Sequence, residues 1–361
     1  MTNRAIALVP GFLGFDHLNK TNYFATRFCE LLKEALQARS RDTFAIHPVT
    51  THPIGSLAER QQSLLDEIAK VDERGTLWHV IGHSAGGLDA ALLARGQRLE
   101  DTPAGSRYAN AAFDPDWQDR LCSVVTIAAP HYGTTLASTP AARGTATGKW
   151  TVAAAEQILA AGFDLLDRRD LIDRLKFFAG SVAAGQNDHF LLHLLTGNEL
   201  ARDLTAEVAS RLTREGNSIK RIGVSSIATI TPHPVLDGGG YHDHFFEALW
   251  TWVYEAAGSA PPVPLDAKPL RLVASDPGLF PEIEQGDNDG VVNTARQVAP
   301  ASRYAALVLA DHGDVIGRYQ RTGEDGEVVD PGLLTSGAGF KDAQFQQLID
   351  VVAEEILLGA R

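Results

Sequence analysis

The sequence predicts an α/β fold: a mostly parallel central sheet flanked by helices, with a helical cap inserted into the chain. Three observations carry this expectation. Over the first 130 residues, short apolar runs alternate with amphipathic stretches, the rhythm of strand–helix–strand units and of a parallel sheet covered on both faces. A Gly-x-Ser-x-Gly pentapeptide, GHSAG at 82–86, stands between an apolar run and an Ala/Leu-rich stretch. From residue 140 to 215 the alternation stops, and helical patterns follow one another without a convincing strand.

Taken in order, AIALVP (5–10) is a continuous apolar run and reads as a buried strand. Residues 19–38 place Phe24, Phe28, Leu31, Leu32, Ala35 and Leu36 on one stripe and read as a helix. FAIHPV (44–49) is a second strand, and Ser56 with Glu59 forms a capping box that opens a helix to about residue 73. TLWHVIG (76–82) is a strand, GLDAALLARG (87–96) a helix closing on Gly96, and LCSVVTIA (121–128) another strand. After the helical stretch, KRIGVSSIATI (220–230) returns to strand character. Residues 231–268 mix a Gly-rich turn, a helix near 243–257 and the Pro-rich piece SAPPVPLDAKP. RLVAS (271–275) and RYAALVLA (303–310) read as the last strands, and FKDAQFQQLIDVVAEEIL (340–357) as an amphipathic C-terminal helix. The expected division is a core of 1–139 and 216–361 and a cap of 140–215, with 231–268 as a candidate second cap element.

Composition narrows the classes. The chain has 361 residues, 44% hydrophobic and 21% charged, a balance that allows a sizeable core and argues against disorder. A net charge of −13 disfavours nucleic acid as a partner, because phosphate binding needs a basic face. Cys29 and Cys122 read as free thiols, and no CxxC metal spacing occurs. No run of eighteen apolar residues is present, so no transmembrane helix is expected. The N-terminus enters an apolar strand with no leader pattern, so the sequence as it stands reads as soluble and cytoplasmic; a leader removed beforehand would make it a secreted protein.

The chemistry centres on GHSAG. A serine between a strand and a helix sits on a strained turn that lifts its hydroxyl above the sheet edge, with Gly82 and Gly86 removing side chains that would clash. The helix start also brings N–H groups and a positive dipole end to a developing oxyanion. The bare motif also arises by chance; its strand–helix context makes Ser84 the expected nucleophile of an α/β-hydrolase fold. His83 is adjacent, but neighbours on a sharp elbow diverge, which makes it a poor base. The oxyanion hole needs the N–H after the nucleophile, here Ala85, and one from a loop after an early strand. VPGFLGFD (9–16) is such a loop. Phe12 is the expected donor and Leu13 its competitor, against the plainer reading of a Gly-rich turn.

Chain order in this fold is Ser, acid, His. DNDGVV (287–292) has turn chemistry and offers Asp289 as the acid, with Asp287 as the alternative. RYAALVLADHGDV (303–315) offers His312, the last histidine in the chain and the only one beyond Asp289, as the base. The roles follow: His312 takes the Ser84 proton, Asp289 orients the ring, and the N–H pair holds the tetrahedral oxyanion.

With these pieces in place the chain resembles the bacterial triacylglycerol lipases, most closely their thermoalkalophilic branch. The matching motifs are VPGFLGFD, VIGHSAGG, TIAAPHYGTTLA, SSIAT, NDGVVNTARQVAP and DHGDVIG, which run in family order from residue 9 to 317. The resemblance implies Ser84, Asp289 and His312 as the triad and Phe12 and Ala85 as oxyanion donors. The departures are specific. Pro10 stands where many lipases carry His before the Gly. The segment 50–76 is too short for the zinc-bearing insertion of the thermoalkalophilic branch. Asp314 matches one calcium-ligand position of that branch, but Tyr319 and Gln320 stand where another carboxylate and a Pro belong. The expectation is therefore no cofactor and no metal, with Asp314 as a weak calcium candidate. The cluster His233, Asp237, His242, Asp243 and His244 suits a polar loop at a pocket rim better than a metal site.

The reading is a carboxylic-ester hydrolase, lipase or esterase, that cleaves hydrophobic acyl esters through an acyl-enzyme. Its partner is a small-molecule ester or lipid, with lipid-surface contact through the cap. Leu13, His83, Trp150, Phe177 and Phe178 are candidate pocket residues; Phe163 and Phe190 also lie in the cap, where most such side chains pack helices together. An acyltransferase, thioesterase, amidase or polyester depolymerase would share the triad. A non-catalytic binding module would not need it.

Overall fold

The computed structural model describes residues 3–11, 17–18, 21–138, 199–215, 222–233, 254–265, 267–275, 282–322, 328–331 and 336–359. Seven strands form one sheet: β1 (Asn3–Val9), β2 (Thr43–Pro48), β3 (Leu77–His83), β4 (Leu121–Ile127), β5 (Gly223–Ile230), β6 (Leu272–Val273) and β7 (Arg303–Leu309). Their order is β6-β7-β5-β4-β3-β1-β2, and every pairing is parallel. The chain therefore starts near one edge, winds out to β2, and returns through β3 toward the other edge. The crevice above the carboxyl ends of β1 and β3, where the winding reverses, is where such sheets bind ligands.

The sheet is buried on both faces, which explains the continuous apolar runs in its strands. In β1 the side chains alternate: Ile6 and Leu8 enter one core, while Ala5, Ala7 and Val9 enter the other. The first core is closed by α1 (Thr26–Arg39) and α7 (Asp342–Gly359), through Phe28, Leu32, Phe345 and Leu348. The second is closed by α2 (Leu57–Val71), α3 (Ala85–Leu93) and α4 (Pro115–Arg120), through Leu64, Ile68, Leu93 and Trp117. Each fully buried Leu or Ile contributes about 1.5–3 kcal/mol relative to exposure. At the start of α2, the Ser56 hydroxyl accepts the Glu59 N–H and the Glu59 carboxylate accepts the Ser56 N–H, as the capping box requires.

One local expectation is corrected. The first helix begins at Thr26, not near residue 19. Residues His17–Leu18 and Thr21–Asn22 instead pair as a short antiparallel ladder, and the extended Ala25 donates its N–H to Ile316 O at 2.9 Å, which holds the preceding chain out of the helix. Between α3 and β4, Gln97–Glu100 pairs with Arg107–Ala112 as an antiparallel hairpin, followed by α4.

Of the expected cap, residues 140–198 lie outside the described residues. The remainder forms α5 (Glu199–Asp203) and α6 (Ala206–Glu215), whose Leu200, Leu204, Val208 and Leu212 pack on Leu57, Leu88 and Leu92 of α2 and α3. Asp203, fully buried, accepts the Leu57 N–H at 2.8 Å and the Ser106 hydroxyl at 2.5 Å. It thus anchors this segment to the start of α2. Of the expected helix near 243–257, residues 254–257 are helical and the rest lies outside the described residues. Among the described residues, no helix is long and apolar enough to cross a membrane.

Candidate active site

β3 delivers the chain into Ser84 with φ 56° and ψ −132°, a conformation that a non-glycine residue rarely adopts. Such strain costs on the order of 1–3 kcal/mol and persists only where the surroundings impose it. Here Ser84 N–H donates to Ile127 O, and Ser84 O accepts from Gly87 N, both at 2.9 Å. The flanking glycines are required by close approach. A Cβ on Gly82 would fall 2.1 Å from Gly86 O, and one on Gly86 would fall 2.4 Å from Pro10 O. α3 starts at Ala85, so the N–H groups of its first turn and its positive dipole end gather at Ser84.

Asp289 and His312 meet between the segments that follow β6 and β7. His312 Nδ1 lies 2.7 Å from Asp289 Oδ2, and His312 N–H donates to Asp289 O at 3.1 Å. The Asp289 carboxylate is fully buried and its oxygens are saturated. Oδ2 also accepts the Thr229 hydroxyl at 2.6 Å and the Gln297 amide at 3.2 Å, and Oδ1 accepts the N–H groups of Val291 and Val292. A carboxylate accepts only, so Nδ1 carries the hydrogen and the lone pair of His312 is on Nε2. Asp287 does not share this position: its carboxylate accepts the Glu284 N–H, and burial, opposed by that bond, raises its pKa.

The loop after β1 approaches closely. A Cβ on Gly11 would lie 2.7 Å from Ser84 Cβ and 2.4 Å from the Tyr23 hydroxyl. Phe12 and Leu13, and the pocket candidates Trp150, Phe177 and Phe178, lie outside the described residues. Sequence reasoning missed the residue that holds this loop. Arg60, fully buried in α2, donates through Nη2 to Pro10 O at 2.9 Å and to Asp89 Oδ2 at 2.6 Å, and through Nη1 to His52 O. The available signal was a charge on each of two buried faces: Asp89 inside GLDAALL and Arg60 on the inner side of α2.

No protein-family model matches the sequence, and no curated protein matches it. Solved structures do match. Staphylococcus hyicus lipase aligns over 99% of this chain and 96% of its own, at 15% identity and a TM-score of 0.54. Lipase 1 from Pelosinus fermentans covers 99% of both chains at 16% identity and a TM-score of 0.53. EstA from Clostridium botulinum covers 98% of this chain and 87% of its own, at 18% identity and a TM-score of 0.51. The chain has the α/β-hydrolase fold.

Within the α/β-hydrolase fold, the position one residue before the nucleophile holds His83. It was expected on the pocket wall; the structure places it in the interior, 1% exposed, with both ring nitrogens engaged by protein. Next to His312 in sequence, Asp311 and Asp314 cap each other. Asp314 Oδ2 accepts the Asp311 N–H, and Asp311 Oδ1 accepts the N–H groups of Gly313 and Asp314. Tyr319 is buried and donates to Asp342 at 2.5 Å, so it joins α7 and supplies no carboxylate beside Asp314. Among the described residues, no three His, Cys, Asp or Glu side chains converge. This donor set does not fit a calcium ion. His233 packs its ring edge-on to Tyr254, 5.1 Å between centroids, and the other members of its cluster lie outside the described residues. A cleft of about 660 Å³ opens beside the Asp289 loop, lined in part by Thr231, His233, Tyr254, Glu284 and Asp287.

Proposed function

We propose that the protein is a serine carboxylic-ester hydrolase of lipase or esterase type, acting on hydrophobic acyl esters through an acyl-enzyme. The observation that carries this reading is the 2.7 Å Asp289–His312 contact, with the His312 carbonyl bonded at 2.8 Å to His83, the residue before the strained Ser84 elbow. The motif resemblance to thermoalkalophilic lipases, and the likeness of fold to two lipases, support the same reading.

In this scheme Ser84 Oγ attacks the ester carbonyl carbon while His312 Nε2 takes the hydroxyl proton. Asp289 holds the ring in the Nδ1–H tautomer and stabilises its positive charge. The tetrahedral oxyanion is assigned to the N–H of Ala85, at the head of α3, and to that of Phe12, from the loop that follows β1 in sequence. Collapse of the adduct expels the alcohol, which takes the proton from His312. A water then attacks the acyl-Ser84 ester with His312 again as base, releasing the acid and restoring the serine hydroxyl. The 140–215 segment is assigned the role of a cap that offers apolar surface to the acyl chain and meets lipid.

The test is a panel of p-nitrophenyl esters from acetate to palmitate, run on wild type and Ser84→Ala. Loss of the nucleophile in such a triad costs on the order of a million-fold in turnover. Wild-type hydrolysis that survives Ser84→Ala within tenfold, with an unchanged circular dichroism spectrum, removes Ser84 from the chemistry.

A further inference from the structure

His83 occupies a position whose backbone the elbow dictates but whose side chain the proposed chemistry does not use. Its ring is enclosed, and each nitrogen has a partner. Nε2 lies 2.8 Å from the main-chain carbonyl of His312, and Nδ1 lies 2.8 Å from the Tyr23 hydroxyl. These partners determine the tautomer. A carbonyl oxygen only accepts, so Nε2 carries the hydrogen; Nδ1 then presents a lone pair and receives the Tyr23 O–H. The Tyr23 oxygen in turn accepts the Gly11 N–H, and burial raises the phenol pKa above its ordinary value, so it stays a donor. One directed chain results: Gly11 N–H to Tyr23, Tyr23 O–H to His83, and His83 N–H to the His312 carbonyl.

Both ends of this chain matter. Gly11 is the residue whose backbone abuts Ser84 and leads into the oxyanion loop. At the other end is the base. His312 is held to Asp289 by its ring and by its own N–H, and both bonds tie it to the acid loop alone. The bond to its carbonyl comes from the residue next to the nucleophile. It therefore sets the base relative to the elbow, across 229 residues of sequence.

We propose that His83 is a positioning residue: with Nε2–H on the His312 carbonyl and Nδ1 on Tyr23, it holds the base's main chain in register with the Ser84 elbow and the Gly11 loop. This rests on the ester-hydrolase reading of the site. The ring also lies 4.7 Å, centroid to centroid, from the His312 ring. Burial, with the His312 charge as a second cause, keeps the His83 pKa well below its ordinary value. His83 therefore stays neutral and does not repel the imidazolium that forms on His312 during acyl transfer. A misplacement of about 1 Å in a catalytic group can cost about a hundredfold in rate.

Three variants and one spectrum test this. His83→Phe keeps an aromatic ring but removes both hydrogen bonds; kcat on a p-nitrophenyl ester is expected to fall about a hundredfold, with KM changed less than about threefold. His83→Gln can donate from its amide nitrogen to the His312 carbonyl and accept from Tyr23; it is expected to recover kcat to within about fivefold of wild type. Tyr23→Phe, which removes only the hydroxyl, is expected to lower kcat about tenfold, again without a matching rise in KM. The tautomer is read without catalysis, by two-dimensional ¹⁵N–¹H NMR of histidine-labelled Ser84→Ala protein, and the Nε2–H form of His83 is expected. A wild type that hydrolyses no ester overturns the functional reading, while the spectrum still decides the His83 geometry. Full kcat in His83→Phe, a change in KM alone, or an Nδ1–H tautomer overturns the proposal. If His83→Phe does not fold, the Gln and Tyr23→Phe variants and the spectrum decide it.

Discussion

Arg60 and Asp89 form an ion pair with no exposed side-chain surface at either end, 2.6 Å from Nη2 to Oδ2, and the same guanidinium holds the carbonyl of Pro10. One buried charge pair thus joins α2, the helix α3 that follows Ser84, and the loop that leads to Gly11. Removing one partner leaves the other charge buried and uncompensated, which typically costs about 3–5 kcal/mol. Asp89→Ala is accordingly expected to lower unfolding free energy in urea by about that amount. Replacing both residues with leucine is expected to recover much of the stability but not the ester turnover, because the Pro10 carbonyl loses its donor. A single variant as stable as wild type would show that the pair does not hold these elements together.

The acid assignment separates two carboxylates two residues apart. Asp289→Asn replaces the acceptor for His312 Nδ1–H with a group that favours the wrong tautomer, and turnover is expected to fall about ten-thousandfold. Asp287→Asn is expected to stay within about threefold of wild type, because its carboxylate caps the Glu284 N–H and does not face the ring. Steady-state kinetics on one ester ranks the two, and the reverse order would move the acid.

Asp311, next to His312, titrates in a range that stability measurements reach. Burial is the main cause that pushes its carboxyl up to about 7, opposed by the N–H groups of Gly313 and Asp314 and by Ser336. Between the ordinary carboxylate range and pH 7 the folded state therefore holds a proton that the unfolded chain has lost. Its contribution to stability is full below about pH 4 and disappears as pH rises through about 7. Asp311→Asn keeps an oxygen acceptor and does not titrate. The Tm difference, variant minus wild type, is expected to grow in the variant's favour from pH 5 to pH 8. A difference independent of pH would place the titration elsewhere.

The side chains next to the base also bear on metal dependence. Asp314 is engaged by the Asp311 N–H and Tyr319 by Asp342. Prolonged dialysis against EDTA is expected to leave both turnover and Tm unchanged, measured before and after adding back calcium or zinc. A loss that either ion restores would point to Asp314 or to the loop that begins at His233.

Much of this architecture is legible from neighbours in sequence. The Ser56–Glu59 capping box, the two-residue alternation of β1 and the elbow glycines obey rules that span five residues or fewer, and local sterics enforce them. Asp289 and His312, singled out by the chain order of the fold, do meet, at 2.7 Å. The start of α1 could not be read: the helical spacing read from residue 19 onward continues into α1, yet the Ala25–Ile316 bond holds Ala25 out of the helix. That partner lies 291 positions away. Arg60 with Asp89, and Tyr23 with His83 and the His312 carbonyl, are of the same kind. Each is a polar group whose burial is affordable only once a distant donor or acceptor meets it. Hydrophobic period and turn chemistry announce strands, helices and the Ser84 elbow. The partners that let charges and imidazoles lie inside the molecule are chosen only when the sheet order brings β1, β3 and the end of β7 side by side.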